Sequence, residues 1–400
     1  MPFTPSEAVS RIEAASRRPV LRPASGGDVS LAIGEPDFAT PQVIVDAAAA
    51  AVAAGYTHYS HSEGEPELRE ALARTVSLAA GEPYAAHQVI VTHGATGALA
   101  AAILATVSPG DRVVIPEPTY SLYADLVVMA GAEPVYVPLR EDDHHLDLEA
   151  MARALPGARL VVLCNPGNPT GAVFARSELE AVAEMLEPST LVISDEAYDR
   201  MSYDGSRFVS ALAIPRWRDR LIYVQTFSKT YAMTGWRIGY VATTGPIARA
   251  VSRINRTLTG AANQATQRAA ITALQMTPAD LAPMLDEYAR RRRFVVDRLE
   301  EMEGIHFAPP EGAFYAFIRY DLPMPSAELV GHLLEGGVHV RAGSEFGPSG
   351  EGHLRISFAT SMAKLDEGLT RIENVLTSLS SPRLQGDRGT AFPPPACGGR

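Results

Sequence analysis

Seven short apolar runs alternate with helix-like stretches between residues 88 and 243, and this alternation constrains the fold more than any other feature. The runs are residues 88–92, 112–115, 133–137, 160–164, 191–194, 222–225 and 237–242. A strand covered on both faces reads as a nearly unbroken apolar run, whereas a half-solvated strand alternates. Most of these runs lead into a loop rich in Gly, Pro or Asn and then into helix. The pattern predicts an α/β fold with a mostly parallel seven-stranded sheet between layers of helices.

In such sheets ligands sit at the carboxyl ends of the strands. The polar motifs fall there: His93-Gly-Ala-Thr-Gly97, Pro116-Glu-Pro-Thr-Tyr120, Asn165-Pro-Gly-Asn-Pro-Thr-Gly171, Asp195-Glu-Ala-Tyr198 and Thr226-Phe-Ser-Lys229. Five loops on one rim predict one site.

The last of these motifs opens the segment Thr226-Phe-Ser-Lys-Thr-Tyr-Ala-Met-Thr-Gly-Trp-Arg237. A lysine amine attacks a carbonyl only when deprotonated, which calls for burial or neighbouring cations. The hydroxyls of Thr226 and Ser228 and the guanidinium of Arg237 suit a dianionic phosphate. Lys229 is thus a candidate Schiff-base amine beside a phosphate cradle, as pyridoxal 5'-phosphate requires. Read alone, Ser228-Lys229 is far more often a solvated lysine in a polar loop after a strand. The distant motifs change the balance.

Ala95 N–H and the Thr96 amide and hydroxyl, ahead of an alanine-rich helix at 98–107, suit the same phosphate, although an ordinary strand-to-helix turn reads the same way. Asp195 is placed to keep a pyridine nitrogen protonated, and Tyr198 and Asn168 to hydrogen-bond the ring's phenolic oxygen. Asp195-Glu196 also reads as a helix-capping pair. Tyr120 offers a flat face for stacking. Arg355, in the run His353-Leu-Arg-Ile-Ser-Phe358, suits an α-carboxylate or an internal ion pair, and Gly34 lets backbone approach the same group. No metal ligand set is assigned. Neither a Walker loop nor a Gly-x-Gly-x-x-Gly fingerprint is present.

Together the motifs resemble the class I/II aminotransferases, and most closely the bacterial aspartate aminotransferase-like branch of fold-type I pyridoxal phosphate enzymes. The likeness rests on Asn165-Pro-Gly-Asn-Pro-Thr-Gly171, Ser194-Asp-Glu-Ala-Tyr198 and Phe227-Ser-Lys-Thr-Tyr-Ala-Met-Thr-Gly-Trp-Arg-Ile-Gly239. Leu31-Ala-Ile-Gly-Glu-Pro-Asp-Phe38, Tyr59-Ser-His-Ser-Glu-Gly64, Gly312-Ala-Phe-Tyr315 and Arg355-Ile-Ser-Phe-Ala359 extend it over about residues 30–376. The resemblance implies ping-pong transamination between an L-amino acid and a 2-oxo acid, with Lys229 carrying the cofactor and moving the proton. It implies Asp195 at the ring nitrogen, Asn168 and Tyr198 at the phenolic oxygen, and Arg237, Thr226, Ser228 and Ala95-Thr96 at the phosphate. Arg355, Gly34 and Asn168 would take the α-carboxylate. Tyr59 would reach the phosphate of a neighbouring subunit, which implies a homodimer with shared sites. Two departures border the substrate side chain: Tyr120 where tryptophan often stacks, and Ala342 where proline is usual. No second cation for a distal carboxylate stands out.

The competing readings are other pyridoxal phosphate chemistry (a β- or γ-eliminating lyase, or a cyclase or oxidase of secondary metabolism) and a cofactor-sensing regulator. A regulator would need an appended basic helix-turn-helix, and residues 1–30 are too short for one.

The remaining expectations concern organisation. Residues 46–284 are expected to form a large cofactor domain, and residues 285–380 a smaller α+β domain joined by residues 1–45. Residues 381–400, rich in Pro and Gly, read as a disordered tail. Thr40 is the expected N-cap of a helix over 43–54, with Pro41 at its first position. Residues 67–80 read as a further helix. Pro283 is expected to open a helix through 299, whose arginine run 290–293 reads as a solvated face. Short strands are expected at 312–318, 338–341 and 353–357. The net charge of −11 argues against nucleic acid or an anionic membrane as main partner, but not against an anionic substrate. Two cysteines, Cys164 and Cys397, no leader-like N-terminus and no membrane-length apolar run predict a soluble cytoplasmic protein.

Overall fold

Side chains along the central strands point alternately to two faces, and each face is buried in its own apolar cluster. Leu160, Val162 and Cys164 pack with Ile193, Val224, Leu99 and Ile103 on one side. Val161 and Leu163 pack with Val192, Leu179 and Val182 on the other. Burial of each such aliphatic side chain contributes about 1.5–3 kcal/mol. The helix Gly94–Thr106 buries Ala98, Leu99, Ala101, Ala102 and Ile103, while Thr96 in its first turn is exposed.

This is a computed structural model, and it describes residues 3–17, 26–205 and 208–380. The strand order across the seven-stranded sheet is Val89–Thr92, Gly239–Thr243, Leu221–Thr226, Leu191–Asp195, Ala158–Cys164, Arg112–Glu117 and Glu133–Pro138. Neighbouring strands are parallel except that Gly239–Thr243 runs antiparallel to both of its neighbours. The mostly parallel sheet is as expected.

A four-stranded antiparallel sheet follows in the order Arg341–Ala342, His353–Ser357, Tyr315–Tyr320, Ile305–His306. Its core takes in Val29 and Leu31 from the N-terminal segment, and Val29–Ser30 pairs in parallel with Val338–His339. The helix Pro278–Glu300 connects the two halves without a break. No helix among the described residues is long and apolar enough to cross a membrane. The tail at 381–400, Cys397 and most of the connector around residue 22 lie outside the described residues.

Several local expectations are corrected. The helix Gln42–Ala53 has Pro41, not Thr40, as its N-cap. The Thr40 hydroxyl instead donates to the Ala232 carbonyl at 2.6 Å and accepts from Trp236 Nε1 at 3.0 Å. Pro283 lies inside its helix; Thr277 and Asp280 cap the start, with Pro278 in the first turn. The run 290–293 is not uniformly solvated. Arg291 is buried against Asp37 at 2.6 Å and Glu287 at 2.9 Å, and buried Arg292 pairs with Asp204. Removal of a buried charge from water requires such partners, and Asp37 and Asp204 come from distant sequence. The expected strand 312–318 begins only at Tyr315, and 338–341 splits into Val338–His339 and Arg341–Ala342.

Candidate active site

The strand carrying Leu191–Asp195 ends at a carboxylate, and the adjacent strand Leu221–Thr226 ends three residues before Lys229. Their carboxyl ends open into a cavity of about 540 Å³. Gly34, Ala95, Thr96, Tyr120, Asn168, Asp195, Tyr198, Thr226, Ser228, Lys229, Arg237 and Arg355 all line it. Of the residues read from sequence, Tyr59 alone stands apart, fully exposed on the surface. A second cavity of about 560 Å³ holds Glu196 and Asp199 but no lysine.

Lys229 is half-buried at the edge of the cavity, and its amine donates to the Gly34 carbonyl at 2.6 Å. Burial pulls the amine down to about 8; Glu35 and Asp195 oppose this, while Arg355 and Arg237 reinforce it. Above that value the amine is neutral and nucleophilic, and below it is protonated. Acylation of Lys229 in the cofactor-free protein is therefore expected to titrate with a midpoint near pH 8 rather than near 10.5, as peptide mapping after pH-jump labelling measures. A midpoint that stays near the ordinary lysine value contradicts the effect of burial.

Asp195 is buried at its strand end, with Oδ2 accepting from the Tyr123 hydroxyl at 2.8 Å. Burial pushes the carboxyl up to about 6 despite that bond, the Ala197 amide and the Lys229 charge. The capping-pair reading of Asp195-Glu196 fails, because a turn rather than a helix follows. Glu196 faces the other side, accepting from the Ala211 amide at 2.7 Å and the Ser194 hydroxyl at 3.0 Å.

Arg237 and the start of the helix Gly94–Thr106 also border the cavity. The helix starts at Gly94, four residues earlier than read from sequence, so Ala95 and Thr96 lie in its first turn, where backbone N–H groups lack intrahelical partners. Gly94 adopts φ 69°, and a Cβ there would stand 2.9 Å from Arg237 Nη2. Arg237 itself takes the left-handed conformation, φ 53°, rather than beginning a strand, a conformation that costs an L-residue about 1–2 kcal/mol. It donates to the Thr234 carbonyl at 2.8 Å, with no ion pair to a carboxylate among the described residues. The Thr226 and Ser228 hydroxyls hydrogen-bond each other at 2.8 Å nearby. A guanidinium beside a helix N-terminus repels it, so the arrangement suits an anion between them.

Arg355 is buried, with Nη1 donating to Asn168 Oδ1 at 3.0 Å and Nη2 to the Ala32 carbonyl. Its guanidinium carbon lies 4.4 Å from the Tyr315 ring centroid and 4.9 Å from that of Phe346. Among the described residues Arg355 forms no ion pair, so the internal ion-pair reading finds no partner there. The Tyr198 and Tyr315 hydroxyls hydrogen-bond at 2.8 Å, and a Cβ on Gly34 would collide with the Tyr315 hydroxyl. Tyr120 borders the cavity edge-on to Tyr123, with ring centroids 5.7 Å apart.

Sequence reasoning missed the supporting tyrosines, Tyr123 and Tyr315, and a third arginine at the cavity, Arg341. Tyr315 lay within a motif already singled out. Tyr123 carried no local signal, because its bond to Asp195 spans 72 residues.

The profile described as "Aminotransferase class I and II" matches residues 27–372. The chain is 36% identical over 355 residues to an aspartate aminotransferase of Pyrococcus horikoshii, covering 87% of this chain and 90% of that one. It is 35% identical over 373 residues to a bifunctional aspartate aminotransferase and glutamate/aspartate-prephenate aminotransferase of Petunia hybrida, covering 88% and 78%. Among solved structures, the aromatic aminotransferase of Pyrococcus horikoshii superposes with a TM-score of 0.87 at 36% identity, covering 93% of this chain and 99% of that one. The aspartate aminotransferase of Rhizobium meliloti gives 0.86 at 31%, covering 95% and 100%. This chain belongs to the class I and II aminotransferases of fold type I, enzymes that transfer amino groups.

Proposed function

We propose that the cavity binds pyridoxal 5'-phosphate and moves an amino group between an L-amino acid and a 2-oxo acid in two half-reactions. The observation that carries this reading is the convergence on one cavity of a lysine with a lowered pKa, a buried carboxylate and two arginines, Arg237 and Arg355, that form no ion pair among the described residues. The cavity's volume lies within the range of small-molecule sites.

When bound, the cofactor supplies an electron sink for the pair left at the substrate's Cα. Lys229 would hold it covalently and, once displaced by the incoming amine, take up and redeliver the Cα proton through Nζ. Asp195 would keep the pyridine nitrogen protonated. Its shape is fixed by Tyr123, and burial strengthens its field. Arg237, the Thr226 and Ser228 hydroxyls and the Ala95-Thr96 amides would hold the phosphate, while Tyr120 flanks the ring. Asn168 and Tyr198 would serve the phenolic oxygen. Arg355 would fork onto the α-carboxylate beside Gly34, with Asn168 orienting the fork. The exposure of Tyr59 supports a homodimer in which the partner subunit's Tyr59 completes the phosphate site. We also read residues 46–284 as the larger domain, residues 285–380 with 1–45 as the smaller, and the cytoplasm as the compartment.

The test is a single turnover. The holoenzyme mixed with one amino acid and no acceptor is expected to yield stoichiometric 2-oxo acid and pyridoxamine phosphate. Sustained ammonia release under those conditions would instead assign an eliminating lyase.

A further inference from the structure

Arg355 has a counterpart across the strand ladder. Arg341–Ala342 pairs antiparallel with His353–Ser357 in a register that sets Arg341 directly opposite Arg355. Directly opposed residues share one face, with Cβ atoms roughly 4.5–5.5 Å apart, and like charges so placed repel. Both arginines line the cavity. Arg341 is ion-paired with Glu345, four residues on, and both side chains are largely buried, 13% and 9% exposed. The pairing uses Nη2, whereas the buried Nε of Arg341 has no hydrogen-bond partner among the described residues. A guanidinium offers five donors, so this one retains donor capacity beyond the ion pair.

We propose that Arg341 is a specificity-determining residue: its guanidinium receives the distal carboxylate of a dicarboxylic amino acid or 2-oxo acid, in exchange for Glu345. The proposal rests on the aminotransferase reading, with Arg355 at the α-carboxylate. Two guanidinium groups side by side then match the two ends of a short dicarboxylate. The ion pair makes the site conditional. With a monocarboxylic substrate Arg341 stays closed on Glu345, and no unpaired charge is left facing an apolar side chain. With a dicarboxylic substrate the incoming carboxylate competes for the guanidinium. Glu345 is a weak competitor, because burial raises its carboxyl above the ordinary value and it accepts a proton readily when released.

The experiment compares the wild-type holoenzyme with Arg341→Met, Arg341→Lys and Glu345→Gln. The readout is the ratio of kcat/KM for L-aspartate and L-glutamate to kcat/KM for L-alanine and L-phenylalanine. A lost charge-assisted hydrogen bond is worth at least ~10-fold and on the order of 100-fold, so the ratio is expected to fall by that factor in Arg341→Met. It is expected to recover in part in Arg341→Lys and to rise above wild type in Glu345→Gln. Calorimetry with succinate, which needs no turnover, is expected to show its Kd raised by a similar factor in Arg341→Met. A merely structural Arg341 lowers both substrate classes together and leaves the ratio unchanged, which overturns the proposal. If Arg341→Met does not fold, an unmoved ratio and succinate Kd in Glu345→Gln overturn it equally. Failure of every amino acid to react while succinate still distinguishes the variants counts against the aminotransferase reading and leaves Arg341 as a dicarboxylate ligand.

Discussion

Lys229→Ala is expected to abolish transamination, lowering the rate of amino-group transfer at least ~10⁴-fold, because one substitution removes both the nucleophile and the proton carrier. The protein is expected to fold normally. The wild-type amine is held in a buried position that pulls its pKa down to about 8, so its native environment disfavours the charge it normally carries. Its removal therefore leaves the melting temperature unchanged or higher, whereas a structural lysine would be missed by the fold. The cofactor is expected to remain bound through its phosphate contacts, retained on dialysis less tightly than in wild type. Product assays with paired thermal melts measure both sides. A variant that transaminates at the wild-type rate contradicts the role of Lys229.

Asp195→Asn is expected to lower kcat/KM by roughly 10²–10³-fold, the scale for loss of a preorganised electrostatic partner. Asparagine keeps the shape and can still accept from the Tyr123 hydroxyl, so the loss isolates charge from packing. The pH dependence has a definite sign. Burial raises the carboxyl to about 6, so in the cofactor-free protein it is ionised above that value and neutral below. Cofactor affinity in the wild type is expected to weaken as pH falls through about 6, and the Asn variant is expected to lack that step. Titration of cofactor binding by absorbance between about pH 5 and 8 tests this. An identical step in both proteins assigns it to another group.

Much of the fold was legible because parallel strands buried on both faces leave long apolar runs, as Ala158–Cys164 and Leu221–Thr226 do. The site was legible for a related reason: the strand ends carry the polar motifs, and the topology gathers them. What escaped is non-local. Arg291 and Arg292 sit in a charged helical run that reads as solvated, and only the folded chain brings Asp37 and Asp204 to them. Thr40 has the right residue type for a cap, yet the loop after Lys229 claims its hydroxyl. Arg341 stands next to Ala342, which the resemblance sets at the border of the substrate side chain, yet no second cation stood out there. Its place at the cavity depends on a register between two short strands, which side-chain patterning over two residues does not specify.

The central claim is that one amine, Lys229 Nζ, forms the covalent link to the cofactor aldehyde. Borohydride reduction of the holoprotein followed by peptide mass spectrometry tests it most directly. A phosphopyridoxyl group is expected on the peptide containing Phe227-Ser-Lys-Thr-Tyr231, in stoichiometric yield and abolished by Lys229→Ala. A label on Lys364, or no label at all, contradicts it.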